Sequence, residues 1–477
     1  MSDTLLQEPA HGSTIESDDY LAKRSLRKGT AGWVLLAGLG VSYVISGDYA
    51  GWNNGLLLGG FGGLLIASLI VATMYLAMVL GMAELSSALP AAGGGYTFAR
   101  KALGTWGGFI TGSAILIEYT IAPAAIATFI GGYVESLGLF GITDGWWIYL
   151  AVYALFIAVH LAGVGEALKA MFAITVVALL GLVIFAVAAV GLFDINNLFD
   201  IPVDATAFGA SPFLPHGLMG IWAAVPFGIW FFLALEGVPL AAEEARNPAR
   251  DVPRGIIVAM VVLIITGALV LFLGTGALGA QALGASGNPL VEALGAGPAA
   301  TLVNYIGLAG LVASFFSIMY AYSRQTFALS RAGYLPRWLS LTTSRKAPVW
   351  ALVVPGVIGF ALSLTGSGAM LLNMAVFGAA VSYVLMMASH IVLRVKAPQM
   401  PRPYRTPGGV VTTSIALVIG VAAVVATFLV DPVAASATAG VLLALLAYFA
   451  LYSRHHLVAN SPDEEFAALD SAADDVS

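Results

Sequence analysis

The chain has 477 residues, of which 59% are hydrophobic and 10% charged, with a mean hydropathy of +0.92. Soluble domains carry about 25% charged residues, so this composition excludes a water-soluble globular protein and describes an integral membrane protein. Cysteine is absent, which excludes disulfides, thiolate metal sites and a cysteine nucleophile, and the net charge of −6 comes largely from the six acids after Asn460, so no nucleic-acid partner is expected.

The first 30 residues are polar, acidic and then basic (LAKRSLRKG, Leu21 to Gly29), with no short apolar core before a small-residue cleavage site. No cleaved signal peptide is expected, and residues 1–30 read as a cytoplasmic tail. A membrane-spanning helix needs about 20 mostly apolar residues. Twelve stretches qualify: 31–57, 60–88, 103–133, 146–164, 168–193, 216–243, 255–278, 300–328, 348–366, 369–394, 410–430 and 433–453. The transporter domain thus runs over 31–455, and 456–477 reads as a second, acidic cytoplasmic tail.

Charge tests the count. With the amino terminus inside, Lys and Arg should gather in the first tail, the even-to-odd loops and the carboxyl end. All 20 basic residues do, from Lys23, Arg24, Arg27 and Lys28 through Arg100, Lys101, Arg246, Arg324, Arg331, Arg345, Arg394 and Arg402 to Arg454. The expected outer loops carry only acids: Glu135, Asp144, Asp194, Asp200, Asp204, Glu292 and Asp431. The expectation is a twelve-span, all-α protein of the plasma or inner cell membrane, with both termini cytoplasmic.

Two spans are interrupted. The first carries VISGDYAGWNNG (Val44 to Gly55), with a break expected at Ser46-Gly47-Asp48. The sixth carries WFFLALEGVPLAAEE, with a break expected near Glu236-Gly237 and Pro239 just beyond. Glycine permits non-helical dihedrals, and proline removes a donor and clashes with the preceding turn. Breaks five helices apart, each with a carboxylate, point to two five-helix repeats of opposite topology with substrate held at the midplane. An Asp at a bilayer centre costs roughly 2.5–3.5 kcal/mol, so Asp48 is a functional candidate.

EEARNPARDVPRGI (Glu243 to Ile256) after the sixth span and AYSRQTFALSRAGYLPRWL (Ala321 to Leu339) after the eighth resemble signatures of the amino acid–polyamine–organocation permeases. The resemblance covers about residues 30 to 455 and implies an inverted 5+5 repeat (LeuT-like) core with discontinuous helices 1 and 6, and helices 11 and 12 outside it. In that family the first break is a glycine-rich run whose N–H groups bind a substrate carboxylate. Here Ser46 and Gly47 fit, but Asp48 would repel a carboxylate and attract an ammonium. The SGDYAGWN run resembles the ethanolamine permease branch, whose substrate is an amine lacking that carboxylate. The resemblance therefore implies import of ethanolamine or a close small amine. An amino acid permease or exchanger is the competing reading.

The implied substrate contacts are Ser46, Gly47, Asp48, Tyr49, Trp230, Ala234, Glu236 and Gly237. For Asp48, a helix cap or a coupling-ion ligand stands as an alternative. Trp230 either closes over the substrate or packs in an aromatic-rich helix, and Tyr49 and Trp52 pose the same choice. Glu118 and Glu236 are the candidates for proton coupling or gating, each against a structural hydrogen-bonding role. Ser314, Ser317, Tyr320 and Ser323 form one stripe on helix eight, suited to a sodium ion or to plain helix packing. Thr175 lies on helix five, where Ala178 stands in place of the lysine some relatives carry; the coupling ion, H+ or Na+, stays open. His160 and His390 read as structural. No metal-ligand cluster, phosphate loop or nucleophile motif argues for an enzyme, a metal or a cofactor. The expected partners are a small amine, the bilayer and a coupling ion.

Overall fold

The computed structural model describes Gly29 and residues 31–90, 93–138, 145–162, 164–344 and 346–458, with the backbone alone for 164–168. Lys23 to Lys28, Asp144, Arg345 and the acidic tail after Asn460, which entered the charge argument, lie outside the described residues.

Helices fall on all the expected stretches. They are α1 (Trp33–Val44 continued by Ser46–Tyr49), α2 (Asn54–Ala88), α3 (Gly95–Ser136), α4 (Gly145–Ala162) and α5 (Val164–Val190). α6 is Gly217–Trp230, followed by a 3-10 segment, Leu235–Glu244. Then come α7 (Pro248–Leu278), α8 (Pro298–Arg331), α9 (Val349–Ser363), α10 (Gly368–Lys396), α11 (Val410–Val430) and α12 (Pro432–Leu451). Ten helices among the described residues are long and apolar enough to cross a membrane, and Trp33–Tyr49 and Val349–Ser363 are apolar but shorter. The only β pairing described is two isolated bridges, Ala31 with Ala245 and Thr342 with Pro348.

Local chemistry sets the ends. α7, α8 and α12 each place a proline in the first turn, where its missing N–H costs nothing. Asp431 caps α12, accepting the Ala434 N–H at 2.9 Å. Gly60 (φ 66°) and Gly104 (φ 75°) break the long α2 and α3 close to the starts expected for the second and third spans. Leu180, Val183, Val187 and Val190 line one exposed apolar face of α5, as lipid contact requires.

Both interruptions lie a few residues from where the sequence put them. Ser46–Tyr49 is itself helical, and the chain leaves the helix at Ala50 (φ −158°, ψ 157°) and Gly51 (φ 94°). Glycine suits the second of these positions, because a Cβ on Gly51 would stand 2.7 Å from the Trp230 indole nitrogen. In α6 the break is Phe231 to Ala234, before Glu236-Gly237, and Ala234 sits in the left-handed region (φ 74°, ψ 4°). Left-handed alanine is strained by about 1–2 kcal/mol. A ten-residue 3-10 run is also unusually long and often marks a hinge.

Candidate functional site at the two helix breaks

The interrupted ends of α1 and α6 meet. A Cβ on Gly47 would lie 2.6 Å from the Trp230 carbonyl oxygen, so only glycine allows this approach. The last carbonyls of α1 have lost their helical partners, and side chains replace them. Trp52 donates to the Asp48 carbonyl at 3.2 Å, Tyr133 to that of Tyr49 at 3.0 Å, and Trp230 to that of Ala50 at 2.9 Å. Trp52 also stacks on Phe231, with ring centroids 5.5 Å apart.

α8 fixes the other side of α1. Ser46 and Ser314 share a hydrogen bond of 2.8 Å, Ser42 and Ser317 one of 2.6 Å, and Ser314 donates to the Tyr43 carbonyl at 2.7 Å. These bonds make Ser314 and Ser317 contacts between α8 and α1, while Ser323 bonds its own helix at the Tyr320 carbonyl. The Tyr49 ring lies against Gly307 and Gly310, and its hydroxyl donates to the Ala178 carbonyl at 2.7 Å. Thr175 turns back on its own helix, to the Met171 carbonyl.

Three carboxyls are buried around these breaks. Asp48 is fully buried, and neither oxygen has a hydrogen-bond partner. It therefore caps no helix. It faces α7, where the Thr266 hydroxyl lies beside it. Glu236, in the first turn of the 3-10 segment, accepts from Tyr119 at 2.8 Å and from Tyr383 at 3.1 Å. Tyr75 donates in turn to Tyr383 at 2.7 Å. Glu118 makes no well-aligned hydrogen bond on either oxygen; it lies beside the Ala234 N–H and faces Glu236. Two buried carboxyls side by side hold a proton or a cation between them, because like charges so close cannot both stay bare. Among the described residues no Lys or Arg pairs with any of the three. The structure thus joins Glu118 to Glu236 and leaves Asp48 on a separate face of α1.

The buried basic groups lie further toward the expected cytoplasmic side. Arg324 is ten residues past Ser314 on α8, about 15 Å along the axis. It grips Glu244 through Nε at 2.9 Å and Nη2 at 2.6 Å, while Arg331 pairs with Glu243 at 2.9 Å. The two sequence signatures, after the sixth and the eighth spans, are therefore bound to each other. The chain preceding α1 is tied to the same end, since Ala31 donates to the Glu244 carbonyl at 3.0 Å and accepts from Arg246 at 2.8 Å.

The sequence reading missed Tyr75 and Tyr383, which look like ordinary aromatic residues until the fold brings them to Glu236. It also passed over Glu84, although a carboxylate in an apolar span is a visible signal. Glu84 accepts from Arg394 at 2.5 Å and from the Thr406 N–H at 2.8 Å, with Arg402 at 2.9 Å and His390 at 3.4 Å. His390 is thus part of a charged cluster, whereas His160 bonds its own helix at the Phe156 carbonyl.

A family model described as "Amino acid permease" matches residues 32–451. An uncharacterized transporter of Rhizobium meliloti is 29% identical over 402 residues, covering 82% of this chain and 85% of that protein. The branched-chain amino acid permease of Bacillus subtilis is 27% identical over 427 residues, covering 83% and 86%. The methylthioribose transporter of the same organism is 28% identical over 374 residues, covering 73% and 77%.

Proposed function

The chain belongs to the amino acid permease family, and from that premise we propose that it is a secondary transporter importing ethanolamine or a closely related small amine. It is a multi-pass membrane transporter rather than an enzyme, by family and by its apolar helices. The observation that carries the substrate class is Asp48: a fully buried carboxylate, with no cationic partner among the described residues, beside the α1 break. A substrate ammonium supplies the missing counter-charge, and a substrate carboxylate would be repelled.

In this reading the twelve helices all span the bilayer, with both termini inside and helices one to ten forming two inverted repeats. Ser46, Gly47, Tyr49, Ala234 and Gly237 line the breaks that hold the substrate, and Trp230 closes the outer side. α1, α2, α6 and α7 rock against the remainder. The Glu118–Glu236 pair binds and releases a coupling proton. Membrane potential adds about 2.3 kcal/mol per charge at 100 mV to uptake of a cation.

A second reading has one supporting observation: a relative is named for branched-chain amino acids. Another is named for methylthioribose, which is no amino acid, so family membership leaves the substrate class to the site. Uptake of labelled ethanolamine into proteoliposomes, by the natural chain and by Asp48→Asn, tests the proposal. Saturable uptake lost in the variant is expected. Full activity in the variant would remove Asp48 from the site.

A further inference from the structure

Glu84 takes no part in the breaks, yet it joins the inner end of α2 to two other helices. Its side chain is wholly buried. It is held by Arg394 of α10 at 2.5 Å, by Arg402 of the α10–α11 loop at 2.9 Å and by the Thr406 N–H at 2.8 Å. His390 of α10 lies 3.4 Å away and shares a hydrogen bond of 3.0 Å with Thr413 of α11. The loop is fastened on both sides. Arg402 also donates to the Leu393 carbonyl in the last turn of α10 at 3.0 Å and to Ala397 just beyond at 2.9 Å. On α2, Ser87 accepts the Tyr404 N–H at 3.1 Å, and the Leu80 carbonyl accepts the Thr406 hydroxyl at 3.0 Å. One turn outward, Gly81 lets α11 approach closely, since a Cβ there would stand 2.6 Å from the Thr413 methyl. The outer half of α2 packs on a different helix, α6. A Cβ on Gly59 would stand 2.7 Å from the Gly220 carbonyl oxygen, and one on Gly228 would stand 3.3 Å from the Ser68 nitrogen. Small residues permit such backbone contact. α2 is thus packed on α6 at its outer end and on α10 and α11 at its inner end.

We propose that the Glu84 cluster is a fixed pivot: α2 tilts with α6 about its inner end, which stays bound to α10 and α11 throughout the transport cycle. This rests on the proposed rocking of α1, α2, α6 and α7. A buried ion cluster suits a fixed point, because parting it would strand the carboxylate away from both its partners and water. Nine residues nearer the outside, about 14 Å along the axis, α2 meets α10 through one hydroxyl pair, Tyr75 and Tyr383 at 2.7 Å. A tilt lengthens that neutral bond at far less cost than it would part the ions.

The chain has no cysteine, so spin labels can be placed in pairs on the full-length protein in proteoliposomes. Their separation is read by electron paramagnetic resonance with and without saturating ethanolamine. One pair, at Ala88 of α2 and the exposed Val411 of α11, reports the inner end. A second, at the exposed Leu58 of α2 and Leu429 of α11, reports the outer end. A third, at the exposed Leu155 of α4 and Val258 of α7, reports the rocking itself. Ethanolamine is expected to shift the third and the outer distances by several ångströms and to leave the inner distance unchanged. In Glu84→Gln the inner distance is expected to broaden and to shift with the outer one. With Glu84 in place, an inner distance that follows the outer one overturns the pivot, and so does an outer distance that stays still while the third moves. These two results decide the question even where the Gln variant does not fold. A folded Gln variant whose inner distance stays fixed also overturns it. If no pair responds to ethanolamine, the proposed rocking on that substrate fails first and the pivot falls with it.

Discussion

Trp230 donates its indole N–H to the Ala50 carbonyl, 2.9 Å away and 180 positions earlier in the chain. One bond thereby ties the open end of α1 to the end of α6, and the ring lies edge-on to Phe129 of α3, with centroids 6.0 Å apart. The aromatic residue that the sequence suggested as a lid over substrate is, in this structure, bonded to the backbone of the break itself.

Replacing Trp230 by Phe keeps an aromatic ring and removes the donor. The lost bond, worth about 0.5–1.5 kcal/mol, shifts the protein toward states open on the outer side. The chain has no cysteine, so a single Cys at Asn53 reports access without background. Faster labelling of that thiol by a membrane-impermeant maleimide is expected in the Phe variant. An unchanged rate would mean that Trp230 packs without gating.

Ala234 is one of two non-glycine residues with positive φ among the described residues, the other being Lys346. Ala234→Gly removes the left-handed strain and should stabilise the protein by about 1 kcal/mol, raising its thermal unfolding midpoint in detergent. A lower midpoint would show that the alanine methyl contributes more by packing than it costs in strain.

Arg324 and Glu244 form a pair whose side chains are 3% and 4% exposed. Removing one member leaves a buried charge alone, a cost of roughly 3–5 kcal/mol. Arg324→Leu should therefore lower the unfolding midpoint sharply, and adding Glu244→Gln should restore part of the loss. Strict additivity of the two changes would show that the residues do not act as a pair.

Much of the fold was legible in the sequence because hydrophobic length and glycine placement act locally. The helices fall on the expected stretches, and Gly60 and Gly104 mark the breaks near two of the expected starts. The existence of the interruptions in the first and sixth spans was legible for the same reason. Their positions were not. Ala50 and Ala234 carry no intrinsic signal, and the Trp230 indole that bonds the Ala50 carbonyl comes from a helix far away in the chain. The carboxyls Asp48, Glu118 and Glu236 were conspicuous in apolar surroundings. What holds Glu236 was not, since Tyr75 and Tyr383 stand 308 positions apart and meet only through tertiary packing. The sequence also offered helix capping as a role for Asp48, and the structure removes it because the carboxylate accepts no backbone N–H.

The central claim is that the substrate is an amine without an adjacent carboxylate. Ethanolamine and L-serine differ by that carboxylate alone, so competition between them for uptake of labelled ethanolamine into proteoliposomes is the most direct measurement. Two like charges about 4 Å apart repel by roughly 4 kcal/mol at the effective dielectric of a protein. The account therefore predicts that serine inhibits more weakly than unlabelled ethanolamine by about a hundredfold or more. Equal inhibition by serine would contradict it and would favour an amino acid permease whose substrate carboxylate avoids Asp48.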